Sequence, residues 1–243
     1  MSAGKLETLA RPLYQQVVDI MVRRIAEGKW KSGEMLPSEP KIALELGVSP
    51  GTVRKALDQL AADQLVTRKQ GLGTSVAVST RADMLYRFFK LIDTSGARFM
   101  PDCEEVMREI VTPDQEMKNL FNLKSKAKVA NFLRRRNSDD RPVMTEMVTL
   151  PLPLFKGLDK LKNPLPTTLY DYFENEYNLK ILRVEEILTA VNATNEDAKL
   201  LNVKKGTALL AIKRIAYTFS DQPVEHRLFR LLTENHAYLS ELT

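Results

Sequence analysis

The sequence predicts a mixed α/β chain of two domains: an N-terminal winged helix-turn-helix (α+β), and a C-terminal α+β domain with a mainly antiparallel sheet. Three observations carry this. Residues 12–60 hold three short helical patterns separated by glycine and serine punctuation, residues 65–78 hold a glycine-containing β-hairpin pattern, and the rest alternates β-prone runs with brief helical ones.

Pro12 suits a first helical turn, where its missing N–H costs nothing, and Leu13, Val17, Ile20, Met21 and Ile25 follow at helical spacing, ending near Gly28. Ser38 then reads as an N-cap, Ile42, Ala43 and Leu46 as a buried stripe, and Gly47 as the left-handed residue that closes a helix of about two turns. Ser49 is a second N-cap, followed by Pro50 and by Val53, Ala56, Leu57 and Leu60 on one apolar face. A tight glycine turn between two such helices is the helix-turn-helix pattern. Burying that face leaves Thr52, Lys55 and Gln59 on the outer side of the third helix, with Gly51 and Arg54 near its start, all small or donor-rich groups suited to phosphates or base edges. Leu65 to Thr67 and Ser75 to Val78 read as hairpin strands that place Arg68, Lys69 and Gln70 at a basic tip, with Gly71 and Gly73 making the reversal.

These motifs, PLYQQ, LPSE, LGVSPGTVRKAL and QGLGT in that order, resemble the DNA-binding domain of the GntR family of bacterial transcription regulators. The resemblance implies DNA contacts from Ser38, Ser49, Gly51, Thr52, Arg54, Gln70 and Gly71. It also shows a departure: the arginines usual after LPSE and before GT are Pro40 and Pro50 here, which leaves fewer charge-assisted bonds to DNA.

Length allows two compact domains, placed at 1–79 and 80–243 with the linker near Ser79 to Asp83. The net charge of +5 is mild, and residues 1–80 hold 11 Lys and Arg against 8 Asp and Glu, so charge alone does not single out a nucleic-acid binder. One cysteine, Cys103, excludes an internal disulfide framework and fits a reducing compartment. The opening MSAGKLETLARP lacks the apolar core of a secretory signal and no run approaches 18 apolar residues, so a cytoplasmic, soluble chain without a membrane partner is expected.

In the second domain, Met84 to Ile92 reads as a strand running into a loop, Glu105 to Thr112 as a strand, and Pro113 to Asn122 as a helix started by Thr112. Lys128 to Arg136 and Val143 to Leu150 form a hairpin about the DDRP turn. Leu169 to Tyr177 is helical behind Thr168, Leu179 to Val191 is a strand, and Asn195 to Leu201 a short helix. Ala208 to Phe219 and Val224 to Leu232 pair about SDQP. No internal repeat is read. Arg134 and Arg136, two apart on one strand, share a face, and Glu146 lies across the hairpin, a set able to hold an anionic group and a hydroxyl or amine of one ligand. Thr168 at a helix start is an anion seat.

The stretches LRRRNSDDRPVMTEMVTLP, TTLYDYFENEYNLKI and NVKKGTALLAIKRIAYTFSDQPVE, with the late Tyr238, resemble the UTRA effector-binding domain of the HutC branch of the same family. That resemblance implies an effector set of Arg134, Arg136, Glu146, Thr168 and Glu225. It further implies a homodimer that binds a palindromic double-stranded DNA operator as a repressor, modulated by a small molecule, a phosphorylated sugar or a carboxylic acid. Leu231 to Asn235 departs from the common family ending. Two histidines, His226 and His236, with one cysteine give neither a metal set nor a nucleophile with a base, and no phosphate-cradling GxxxxGK[ST] or GxGxxG is present, so no catalytic residue, metal or cofactor is expected. The residues alone also admit a metabolite-binding protein whose winged domain docks on a protein partner; salt-sensitive, sequence-specific DNA binding separates the two.

Overall fold

The computed structural model describes residues 12–26, 29–31, 33–63, 65–77 and 88–240, which fall into two compact units, Met1–Thr80 and Arg81–Thr243. The linker expected at Ser79 to Asp83 and the start of the strand expected from Met84 lie outside the described residues.

In the first unit, α1 (Leu13–Ala26), α2 (Glu39–Leu46) and α3 (Pro50–Ala62) precede a hairpin of β1 (Val66–Lys69) and β2 (Gly73–Val76). Val53, Ala56, Leu57 and Leu60 of α3 are all buried, against Ile42 and Ala43 of α2 and Val17, Met21 and Val22 of α1. The α1 stripe thus sits one position round from the expected one: Val22 is inside, whereas Leu13 and Ile20 are exposed at its margin. Gly47 adopts φ 65°, the left-handed turn that lets α2 and α3 meet. Ser49 caps α3 by accepting the Thr52 N–H at 3.1 Å, but Ser38 makes no side-chain cap bond. The ladder runs from Val66 opposite Val76 to Lys69 opposite Gly73, so Arg68 and Lys69 belong to β1 and only residues 70–72 turn. The expected tip was two residues too long because Lys69 still has a ladder partner. The 33–36 segment covers the outer side of β2, the Leu36 N–H donating to Thr74 O at 2.8 Å.

The second unit contains β3 (Leu91–Asp93), β4 (Asp102–Val111), α4 (Gln115–Leu120), β5 (Val129–Ser138), β6 (Arg141–Pro151), α5 (Leu169–Tyr177), β7 (Arg183–Asn192), α6 (Asn195–Leu201), β8 (Ala208–Tyr217), β9 (Pro223–Leu231) and β10 (His236–Tyr238). Six strands form one antiparallel sheet in the order β4-β5-β6-β9-β8-β7, and β10 pairs with β3 separately. The helix expected from Thr112 begins later, because Asp114 is the better cap and accepts the Met117 N–H at 2.8 Å.

The sheet is built from a structural repeat that the sequence reading missed. The units β4-α4-β5-β6 and β7-α6-β8-β9 have the same order, and the sheet is symmetric about the β6-β9 seam. Their helices are capped by Asp114 and Thr194 and end at left-handed Asn122 and Asn202; their hairpins turn through left-handed Asp140 and Asp221 before Pro142 and Pro223. The signal is weak in sequence because caps and apolar residues exchange within their classes, Asp for Thr at the cap and Phe121 for Leu201 behind it. The unduplicated connection, residues 152–182, carries α5, whose Leu169 and Phe173 pack on Phe132, Val148 and Leu150 of the sheet. A second apolar cluster, including Met144, Ile212, Phe229 and Leu231, occupies the other end of the same face. Between them on β6 lies Glu146, and around it the sheet buries its charges.

Candidate DNA-binding surface and effector cavity

On the first unit, Ser38, Ser49, Gly51, Arg54, Lys55, Arg68, Lys69, Gln70 and Gly71 are exposed and Thr52 is half-buried. The N-terminus of α2 and the wing line one groove that includes Ser38, Glu39, Pro40, Arg68 and Gly71. Two of the guanidiniums do not point freely outward. Arg54 Nε donates to Glu39 Oε2 at 3.0 Å, and Arg68 Nη2 reaches Glu39 Oε1 at 2.5 Å while its Nη1 pairs with Asp58. Lys55 Nζ stands 4.1 Å from the centre of the Tyr14 ring. Ser49 Oγ and Thr52 Oγ1 are hydrogen-bonded at 2.9 Å. Glu39, the glutamate of LPSE, therefore links recognition helix and wing, a role the sequence reading did not give it.

In the second unit the register places Arg134 directly opposite Glu146, as the hairpin predicts. Glu146 is fully buried and receives three guanidiniums: Arg134 Nη1 at 3.3 Å, Arg136 Nη2 at 3.1 Å, and Arg227 Nη1 at 3.0 Å on its other oxygen. Burial alone would raise its pKa, but Arg136, Arg227 and Arg134 outweigh burial and hold the carboxyl far below the usual range. Arg227 also donates Nε to Glu225 Oε1 at 2.9 Å, and Tyr170 OH donates to the same oxygen at 3.2 Å. Arg214, on β8, donates Nε to Glu186 Oε1 at 2.7 Å and Nη2 to the Phe88 carbonyl; Tyr238 OH holds the second Glu186 oxygen. Arg134, 1% exposed, has its Nη2 on Pro166 O at 2.8 Å, and its Nε and Nη1 have no hydrogen-bond acceptor.

Among the described residues this cluster holds four guanidiniums, Arg134, Arg136, Arg214 and Arg227, and three carboxylates, Glu146, Glu186 and Glu225. A fourth carboxylate, Asp171 in the first turn of α5, lines the adjoining cavity. Arg136, Arg214 and Arg227 line this cavity of about 50 Å³ with Phe88, Phe89, Thr167, Thr168 and Tyr170. Its volume exceeds that of a single ordered water. The first turn of α5 opens onto it, and Thr168, the N-cap residue, makes no side-chain cap bond. Arg136 Nη2 donates to Thr167 O at 3.1 Å, fixing the strand to the helix start. The site thus brings three guanidiniums to the start of a helix whose first N–H groups lack intrahelical acceptors.

Of the effector residues expected from sequence, Arg136 and Thr168 line the cavity, while Arg134, Glu146 and Glu225 stand behind its wall. Arg214, Arg227 and Tyr170 were missed. The i, i+2 spacing of Glu225 and Arg227 was the available signal, since both fall on one face of β9. His226, between them, points to the opposite face of this interior strand, where it is buried and its Nε2 has no hydrogen-bond partner. Burial raises the Cys103 thiol pKa, keeping it neutral beside the cluster. Among the described residues, no group of His, Cys, Asp or Glu could hold a metal ion, and no helix is long and apolar enough to cross a membrane.

Residues 13–76 match the model of the bacterial regulatory proteins of the gntR family, and residues 98–237 match the UTRA domain. Curated relatives include the HTH-type transcriptional repressor NagR of Bacillus subtilis, 26% identical over 216 residues and 88% of each chain. The mannosyl-D-glycerate transport/metabolism system repressor MngR of Escherichia coli is 26% identical, covering 94% of this chain and 95% of its own. The histidine utilization repressor of Pseudomonas aeruginosa is 27% identical, covering 87% and 84%. Among solved structures, the ligand-binding domain of a GntR-family regulator from Bordetella bronchiseptica aligns with a TM-score of 0.59 at 29% identity, covering 65% of this chain and 99% of that one. PhnF from Mycobacterium smegmatis shares the fold at a TM-score of 0.56 and 20% identity, covering 93% and 99%. A helix-turn-helix whose recognition helix and wing share one glutamate, followed by a UTRA sheet with a cationic cavity, makes this chain a member of the gntR family of transcription regulators, in its HutC-like branch.

Proposed function

We propose that the chain is a cytoplasmic repressor that binds a palindromic operator as a homodimer, and that a small anionic metabolite in its second domain releases it. Residues 1–79 serve as the DNA-binding domain, with Ser38, Ser49, Gly51, Thr52, Arg54, Lys55, Arg68, Lys69, Gln70 and Gly71 as its contacts. Residues 80–243 hold the effector and the dimer contacts. The observation that carries the effector reading is the convergence of three guanidiniums, Arg136, Arg214 and Arg227, on one cavity at the start of α5. A phosphorylated sugar or a carboxylic acid suits this chemistry, because bidentate arginine and helix N–H groups both favour a polyoxygen anion. Arg136, Arg214 and Arg227 hold the anion, and Arg134, Glu146 and Glu225 position them.

Arg214 gives the site a route to the DNA-binding domain. Its Nη2 holds the carbonyl of Phe88, close after the chain enters the second unit. An anion that draws this guanidinium into the cavity competes for that bond. Release then requires only that the effector bind the DNA-free arrangement more tightly, and operator DNA must weaken effector binding by the same factor.

The test is selection of genomic fragments by the purified chain at near-physiological salt, followed by operator release with phosphorylated sugars and carboxylates. A palindromic site released by one anionic class supports the reading. A site that no such anion releases, despite tight binding of one, overturns the switch. On the same operator, Arg54→Ala should lower affinity about tenfold and reduce the salt slope by about one unit if it contacts a phosphate. Glu39→Gln should act oppositely: Arg54 loses its carboxylate partner while Arg68 keeps Asp58, and an exposed pair of this kind is worth up to about 1 kcal/mol, so affinity should rise by about fivefold at most. An unchanged salt slope in Arg54→Ala removes that residue from the phosphate contacts.

A further inference from the structure

The two outer strands of the six-stranded sheet are built differently. β4 carries Asp102, Glu104, Glu105, Arg108 and Glu109 among its ten residues, and a bulge between Glu105 and Met107 breaks its register. Charge and bulges are the usual protection of a sheet edge against pairing with another chain. β7 has neither along most of its length. Its charges, Arg183, Glu185 and Glu186, sit in its first four residues; from Ile187 to Asn192 there are none, and its pairing with β8 is continuous. Ile187 to Ala190 are all exposed, Ile187 at 63% and Leu188 at 44%, and β8 is the only strand beside β7 among the described residues.

We propose that β7 is the dimer seam: it pairs antiparallel with β7 of a second copy of this chain, joining two six-stranded sheets into one of twelve. This rests on the homodimer reading above and names its surface. A strand that pairs with itself across a two-fold axis must do so antiparallel. With the axis through Leu188, Leu188 meets Leu188 of the other copy, Ile187 meets Thr189, Glu186 meets Ala190 and Glu185 meets Val191, so each facing pair shares one side of the sheet and no carboxylate faces a carboxylate.

The ends of the strand are also complementary. At the start of β7, Arg183, Glu185 and Asp221 form a surface cluster with one negative charge in excess. At its other end, exposed Lys204 and Lys205 lie in the turn whose Gly206 N–H donates to Ala193 O at 2.9 Å. Antiparallel pairing brings the acidic end of each copy beside the basic turn of the other. The seam also adjoins the effector cavity, since Glu186 on β7 holds Arg214 in the cavity wall.

Sedimentation of the full chain should give twice the 27.6 kDa chain mass. The double substitution Ile187→Lys with Thr189→Lys, on exposed positions facing away from the charge cluster, should halve that mass with an unchanged circular dichroism spectrum. Val106→Lys on β4 should leave it doubled. Independently, single cysteines placed in turn at 187, 188, 189 and 190 in a Cys103→Ser chain should cross-link on mild oxidation at the position nearest the axis, where Cα atoms approach within disulfide range. A cysteine at Met107 should not. A dimer that survives the double lysine substitution, with no cross-link at any of the four positions, overturns the seam and leaves the homodimer reading standing. A chain that stays monomeric overturns both.

Discussion

Glu146→Gln is expected to destabilise the protein by about 3 kcal/mol or more, because removing one member of a buried ion cluster leaves its partners charged and uncompensated. Glu146 is fully buried, and Arg134, Arg136 and Arg227 all approach its oxygens within 3.3 Å. The amide keeps the shape but removes the charge, and it offers N–H donors where three donors already converge. The effect carries a pH signature. The folded carboxyl titrates far below its value in the unfolded chain, which lies near about 4.3. A depressed carboxylate contributes its full stability above the unfolded value and loses it as pH falls from there toward the folded one. Urea unfolding between pH 3 and 7 should therefore show wild-type stability declining below about pH 4.5 more steeply than that of Glu146→Gln, the two curves converging toward acid. Parallel curves would mean that Glu146 does not hold its charge against these arginines in the folded chain.

Arg136→Ala is expected to abolish operator release at effector concentrations that release the wild type, with effector affinity about 100-fold lower. A charge-assisted hydrogen bond to an anion is worth about 1.5–3 kcal/mol, and this side chain lines the cavity while anchoring the start of α5 through Thr167 O. Operator affinity without effector should be unaltered, because the residue lies in the second unit. Loss of a packing partner of Glu146 could mimic a binding defect through partial unfolding, so Thr168→Ala is the companion variant. It sits at the same helix start and makes no side-chain cap bond, and it should weaken the effector without moving the melting temperature. Anisotropy of labelled operator under titration with the releasing anion reads both. Wild-type release in Arg136→Ala would place the effector elsewhere.

Much of this was legible in the amino acids where a local rule acts alone. Ser49, Pro50 and the apolar spacing of α3 define that helix without help from the rest of the chain, and DDRP makes its hairpin through two left-handed aspartates. Errors arose where two local solutions compete or where burial decides. Thr112 and Asp114 are both competent caps, and the one with the hydrogen bond starts α4. Val22 displaces Ile20 from the α1 core although both are apolar. Nothing local marks Arg214 or His226 as buried until the strand order places them inside the sheet, and no pattern within either strand states which neighbour will lie beside it. The Arg134–Glu146 pair was readable because one short turn fixes its register; the Arg227–Glu146 contact, 81 residues apart, was not.

On the proposed effector reading, the repeat divides ligand recognition between the two β-α-β-β units and the connection that joins them. Arg134, Arg136 and Glu146 come from the first β-α-β-β unit, and Arg214, Glu225 and Arg227 from the second, so the two units together supply a guanidinium-rich floor that would meet an anion whatever it is attached to. The connection between the units, residues 152–182, has no counterpart in either and brings Thr167, Thr168 and Tyr170 to the cavity rim. Floor and rim can therefore diverge separately. Substitutions in the connection can change which anion is admitted while the ion cluster that stabilises the sheet stays intact, and one scaffold can acquire a new inducer without re-solving its own folding.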